Sequence, residues 1–235
     1  MGIGVAITAV ILVGAVVWGY MMRPDDAPCR SIEYIISDRG ERMYFAEGEL
    51  SLLLQSEGIS PVGEVIDRAL LHRIEQAIRR HPMVRTAECY ATPRNELKVR
   101  ITQRVPLLKV QNPGDTYFID TDRRWMEARM SVRDSVLLVS GAVGVQTAAT
   151  TIADFALWLQ TNRYWNGRIQ SLHMASPINA IVYVGGRRVV LGTIDGYERK
   201  LNKLHTFIEK SPQEILDQHY TELDLRFKGQ VIGRK

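Results

Sequence analysis

The chain has 235 residues, 46% hydrophobic and 24% charged, enough apolar material for a true core and unlike a disordered or collagen-like sequence. Net charge is +4, but its 30 basic residues are interspersed among 26 acidic ones, and no basic block marks a nucleic-acid interface.

The first element in chain order is apolar. Residues 3–22, IGVAITAVILVGAVVWGYMM, carry no charge and as a helix span about 30 Å of hydrocarbon. Trp18 and Tyr20 suit the membrane interface. A cleaved signal peptide needs a basic leading region and small residues at its cleavage site. Here no Lys or Arg precedes Arg23, and Trp18, Tyr20 and Met22 stand where small residues are required. The expectation is an uncleaved transmembrane helix over residues 1–22, with residues 23–235 projected across the membrane. Ala15 and Gly19 form a small-xxx-small pair of the kind that lets two helices approach, although a span this rich in Gly and Ala produces such pairs by chance. Residues 23–29 read as a short linker. Cys29 lies too far beyond the apolar run, behind Asp25 and Asp26, to be a lipoprotein cysteine. Cys29 and Cys89 are the only cysteines, and the sequence allows either a disulfide or two idle thiols.

SIEYIISD (31–38) has the content of a strand. A helix follows with Leu50, Leu53 and Leu54 on one face, ending near Gly58; a second carries Leu70, Ile74, Ala77 and Ile78 and is closed by Pro82. VRTAECYAT and ELKVRITQRV flank the turn-forming Pro93-Arg94-Asn95, and Leu97, Val99 and Ile101 alternate with Lys98, Arg100 and Thr102 as in a strand buried on one face. The order over residues 30–104 is therefore β-α-α-β-β.

A second pattern begins at Leu107, close behind Arg104-Val105-Pro106, which leaves no room for a long flexible linker. Strands are predicted at TYFID, SVLLVSG, Ile169 to Met174 and NAIVYVGGRRVVLG, where Gly185-Gly186 marks a tight hairpin. Ile152, Phe155, Ala156 and Leu159 share one helical face, and Tyr197, Leu201, Leu204 and Ile208 another. Ser211-Pro212-Gln213-Glu214 reads as the start of one more short helix. LDLRFKGQVIGRK, residues 223–235, then reads as a final strand: Leu223, Leu225 and Phe227 alternate with Asp224, Arg226 and Lys228. Its edge is expected to be open and completed by a partner segment, with Arg226, Phe227, Lys228, Gly229, Gln230, Val231 and Ile232 as the partner-binding residues.

Catalytic signatures are missing. There is no GxSxG, GxxxxGK[ST], HExxH or EF-hand loop, and the five histidines do not cluster. No catalytic residue, metal ligand or cofactor is assigned, and no nucleic acid or small-molecule substrate is expected. The alternative, an envelope enzyme or sensor such as a cell-wall hydrolase, would draw on Asp120, Asp122, Glu127 and Asp134, which interleave with arginines as solvated surface charges do.

HPMVRTAECYATPRNELKVRITQRVP (81–106) resembles the second half of a POTRA module. With the N-terminal anchor, YFID at 117–120, VSG at 139–141 and the terminal LDLRFKGQVIGRK, the whole chain resembles the FtsQ/DivIB family of bacterial cell-division proteins. Thr121-Asp122-Arg123-Arg124 stands where the family carries a glycine turn. The resemblance implies an α+β architecture: anchor, POTRA-like domain over 30–106, and a mixed or antiparallel β domain with interspersed helices over 107–235. It further implies a non-enzymatic membrane scaffold of the division septum that recruits FtsB- and FtsL-like single-span proteins and, more loosely, the septal wall synthase complex.

Overall fold

The computed structural model describes residues 27–37, 46–127, 136–211 and 220–235. The expected anchor, residues 23–26 of the linker, Asp134 and the short helix expected after Ser211 lie outside them. Among the described residues no helix is long and apolar enough to cross a membrane. The chain divides into two compact units between Gln103 and Arg104.

The first unit follows the expected β-α-α-β-β order: β1 (Ser31–Ile36), α1 (Glu47–Ser56), α2 (Arg68–Arg79), β2 (Val84–Ala91) and β3 (Glu96–Gln103). β3 lies in the centre, parallel to β1 and antiparallel to β2. Its alternation explains that place, since Leu97, Val99 and Ile101 are all fully buried beneath the helices. Leu50 and Leu54 of α1 and Leu70, Ile74, Ala77 and Ile78 of α2 supply the other side of the core. Asp67 starts α2 by accepting the Leu70 N–H at 2.7 Å. In the β2–β3 turn Asn95 takes φ +58°, a conformation its short side chain tolerates. Both cysteines are free thiols. Burial, with Glu75 nearby, pushes the Cys89 thiol up to about 12.

Among its described residues the second unit forms one nine-stranded sheet in the order β12-β11-β10-β9-β8-β7-β4-β5-β6. Its strands are β4 (Pro106–Asn112), β5 (Asp115–Asp120), β6 (Trp125–Glu127), β7 (Leu137–Gly141), β8 (Ile169–Ser176), β9 (Asn179–Val184), β10 (Arg187–Gly192), β11 (Glu222–Asp224) and β12 (Ile232–Arg234). Parallel neighbours need a crossover, and helices fall where two are required. The helix α3 (Ala153–Thr161), entered through a π-helical turn at Ala148–Ile152, links parallel β7 and β8. The helix α4 (Tyr197–Lys210) lies between parallel β10 and β11. Phe155, Ala156 and Leu159 of α3, with Ile152 before it, and Leu201 and Leu204 of α4 are buried against the sheet. Gly185 and Gly186 both have positive φ, as the β9–β10 hairpin requires. In the β5–β6 turn Arg123, at φ +63°, does what glycine does elsewhere, and the turn closes through Asp120, whose Oδ1 accepts the Arg124 N–H at 2.8 Å.

The C-terminal stretch departs from expectation. Residues 223–235 are not one strand but a hairpin. β11 stops at Asp224, the chain turns at Phe227 to Gly229 with Gly229 at φ +75°, and β12 returns antiparallel to β11. Leu223 and Leu225 are buried as the alternation implies, but Phe227 is 47% exposed. The cause lies outside the stretch: Lys203 of α4 gathers the carbonyls of Leu225, Phe227 and Gln230 and curls the backbone around its ammonium. Among the described residues the edge of the sheet is accordingly β12.

Candidate interaction site at the C-terminal sheet edge

A row of charges crosses the last three strands. Arg188 of β10, Glu222 of β11 and Arg234 of β12 stand in register, and Glu222 bonds both arginines, Arg234 Nη1 at 3.2 Å. One step along, Asp224 is fully buried and accepts from the Arg226 main-chain N–H at 3.0 Å, Nε at 3.0 Å and Nη2 at 2.6 Å. Arg234 adds an ion pair at 3.5 Å. Hydrogen bonds from the Arg226 side chain hold the Asp224 carboxyl below the usual carboxylate range, against the opposing effect of burial. The Arg226 stem lies across Gly192, where an added Cβ would stand 2.8 Å from its Cγ.

Lys203 Nζ donates to Leu225 O at 3.2 Å and to Phe227 O and Gln230 O at 2.6 Å each. Burial pulls this ammonium below its ordinary value and Asp224 pulls it back up. Three acceptors require three protons, so the geometry holds the charged form. Lys200, one turn earlier, donates to Thr193 O at 2.5 Å and Asp195 O at 2.8 Å and braces the loop before α4. Between α4 and the hairpin loop lies a cavity of about 570 Å³ lined by Arg199, Lys200, Lys203, Arg226, Phe227 and Lys228, with no acidic residue among the described residues of its wall.

The direction of the ladder shows which backbone groups are open. Arg188 N–H donates to Thr221 O and Leu225 N–H to Val190 O, so odd positions of β11 face β10 and even ones face β12. Opposite them, Ile232 and Arg234 face β11, and Gly233 turns its N–H and C=O outward. Among the described residues nothing bonds those groups. A Cβ on Gly233 would stand 2.2 Å from the Tyr220 ring, so only glycine fits beneath that ring.

Of the seven residues predicted to bind a partner, only Ile232 lies in the edge strand. Arg226 is bonded to Asp224, Phe227 to Gly229 form the exposed turn, Gln230 is held through its carbonyl by Lys203, and Val231 packs against the core. Lys203, Asp224, Tyr220 and Gly233 escaped the sequence reading. An isolated glycine inside a predicted strand was an available signal, but it applied equally to Gly229, to which the sequence reading gave it, and to Gly233. Of the acidic residues of the enzyme alternative that the structure describes, Asp120 is buried in its turn beside Arg104, while Asp122 and Glu127 are exposed. Among the described residues no group of His, Cys, Asp and Glu could hold a metal ion.

Residues 27–102 match the family model of the POTRA-like domain, so the first unit is POTRA-like. The chain belongs to the FtsQ/DivIB family of bacterial cell-division proteins: the model described as FtsQ/DivIB, C-terminal related, matches residues 105–234, more than half its length. The solved structure of the major extracytoplasmic domain of the trans isomer of the bacterial cell division protein DivIB from Geobacillus stearothermophilus aligns loosely. It shares 16% identity, covers 42% of this chain and 86% of that one, and has a TM-score of 0.33. No curated protein matches the sequence.

Proposed function

We propose that this protein is a non-enzymatic scaffold of the division septum, anchored in the plasma membrane by residues 3–22. Its POTRA-like domain (30–106) and β domain (107–235) lie outside the cytoplasm, and β12 accepts an extended segment of a partner by strand addition. The observation that carries the reading is the edge at Gly233: a backbone N–H and C=O facing outward with no bond among the described residues, in a strand that the Glu222 and Asp224 ion pairs staple to the sheet. An incoming strand gains main-chain hydrogen bonds there. The basic cavity and exposed Phe227 beside it offer side-chain selection. The partners that fit are FtsB- and FtsL-like single-span proteins, with the septal wall synthase complex beyond them. Depleting the protein in its own host tests the division role: filaments without septa are expected, and normal septation would remove the reading. Protease added to spheroplasts should digest the two domains. Protection of both would overturn the topology.

A further inference from the structure

The POTRA-like sheet has its own edge at β2. Thr92 N–H donates to Glu96 O across the β2–β3 ladder, so even positions of β2 face β3 and the odd ones, Ala87, Cys89 and Ala91, face outward. Two of these outward groups are already bonded, and not by another strand. Glu75 Oε1 accepts the Cys89 N–H at 2.8 Å, and Arg79 Nη2 donates to Ala87 O at 2.9 Å. Both side chains come from α2 and pair with each other at 3.6 Å.

The spacing makes this possible. Side chains four apart on a helix are about 5–6 Å from one another, and residues two apart on a strand about 6.6 Å, so one i,i+4 pair can serve consecutive outward groups of an edge. The polarity matches too, an acceptor for the N–H and a donor for the C=O. Together they imitate the carbonyl and amide of a neighbouring strand. β6, at the far edge of the second unit's sheet, is treated alike: Arg104 Nη1 donates at 3.2 Å to Trp125 O, which faces outward because Asp120 N–H donates to Arg124 O. An exposed strand edge is a template for pairing with another chain, and these side chains occupy two of its outward groups on β2 and one on β6.

We infer that Glu75 and Arg79 form a lock on the outer edge of β2 that keeps this strand from pairing with the same strand of a second copy. The inference is independent of what binds at β12. It is tested on the full chain in detergent micelles by hydrogen exchange and sedimentation equilibrium, comparing the parent with E75A/R79A and with E75K/R79E. The exchanged pair keeps the i,i+4 attraction but offers a cation to the Cys89 N–H and a carboxylate to Ala87 O, so a mere surface ion pair would survive it unchanged. Both variants should release the Cys89 amide by about tenfold at low protein concentration, as expected for one lost hydrogen bond to a charged group. Both should also gain mass toward twice the parent value as concentration rises. Adding C89P, which removes an outward N–H without touching the ladder, should restore the parent mass. A parent-like mass for the exchanged pair, or association that persists with C89P, overturns the lock.

Discussion

Replacing Lys203 with Met keeps the apolar stem and removes the ammonium that shapes the β11–β12 hairpin. Three carbonyls lose their donor: Leu225 O, in a part-buried contact, and the solvent-accessible Phe227 O and Gln230 O. Water can replace the lysine at the last two, so each costs about 0.5 kcal/mol, whereas the shielded Leu225 carbonyl costs about 1–2 kcal/mol when left unpaired. The expected loss is about 2–3 kcal/mol, less what is recovered because burial already disfavours the charge on Lys203. For a unit of this size that lowers Tm by about 6–10 °C. Differential scanning calorimetry measures it, and hydrogen exchange should show the loss concentrated in residues 225–234. A K203M protein with unchanged Tm, or with the loss spread evenly over the sheet, would refute the view that one ammonium sets the shape of this edge.

Two further substitutions probe the same hairpin. The Asp224 carboxyl titrates below its unfolded value, so its stabilisation is present above about pH 4 and disappears as pH falls through the lowered folded value. D224N should therefore lower stability at neutral pH and flatten the acid limb of the denaturation profile, and an unchanged limb would dissociate Asp224 from acid sensitivity. Gly233→Ala places a methyl group against the Tyr220 ring and should cost about 1–3 kcal/mol, read as early opening of β12 in hydrogen exchange. Exchange like the parent's would show that the ring yields freely.

Much of the architecture was legible because periodicity and packing agree. Leu97-Val99-Ile101 alternates and is central; Leu201 and Leu204 keep helical spacing and are buried; Gly185-Gly186 can only be a reversal. β4 went unread because Leu107 and Leu108 are consecutive and both buried, so no period of two announces the strand. β6 has three residues, too few for any pattern. The hairpin at 222–234 was hidden for a different reason. Its alternation is compatible with a continuous strand, and what bends it is Lys203, some twenty residues away and indistinguishable in sequence from any other lysine on a helix face. Long-range polar contacts of this kind leave no local signature, and for the same reason the Glu75–Arg79 contacts to β2 could not be seen.

The central claim, that β12 is completed by a partner strand, is tested most directly with a pair of prolines at adjacent positions. Lys235, one residue past β12, continues the outward parity of Gly233, whereas Arg234 faces β11. K235P should leave calorimetric unfolding of the β domain within about 0.5 kcal/mol of the parent while cutting capture of FtsB- and FtsL-like partners from solubilised membranes at least about tenfold. R234P should damage the hairpin itself and lower Tm. Undiminished partner capture by K235P, with the domain folded, would contradict strand addition at this edge.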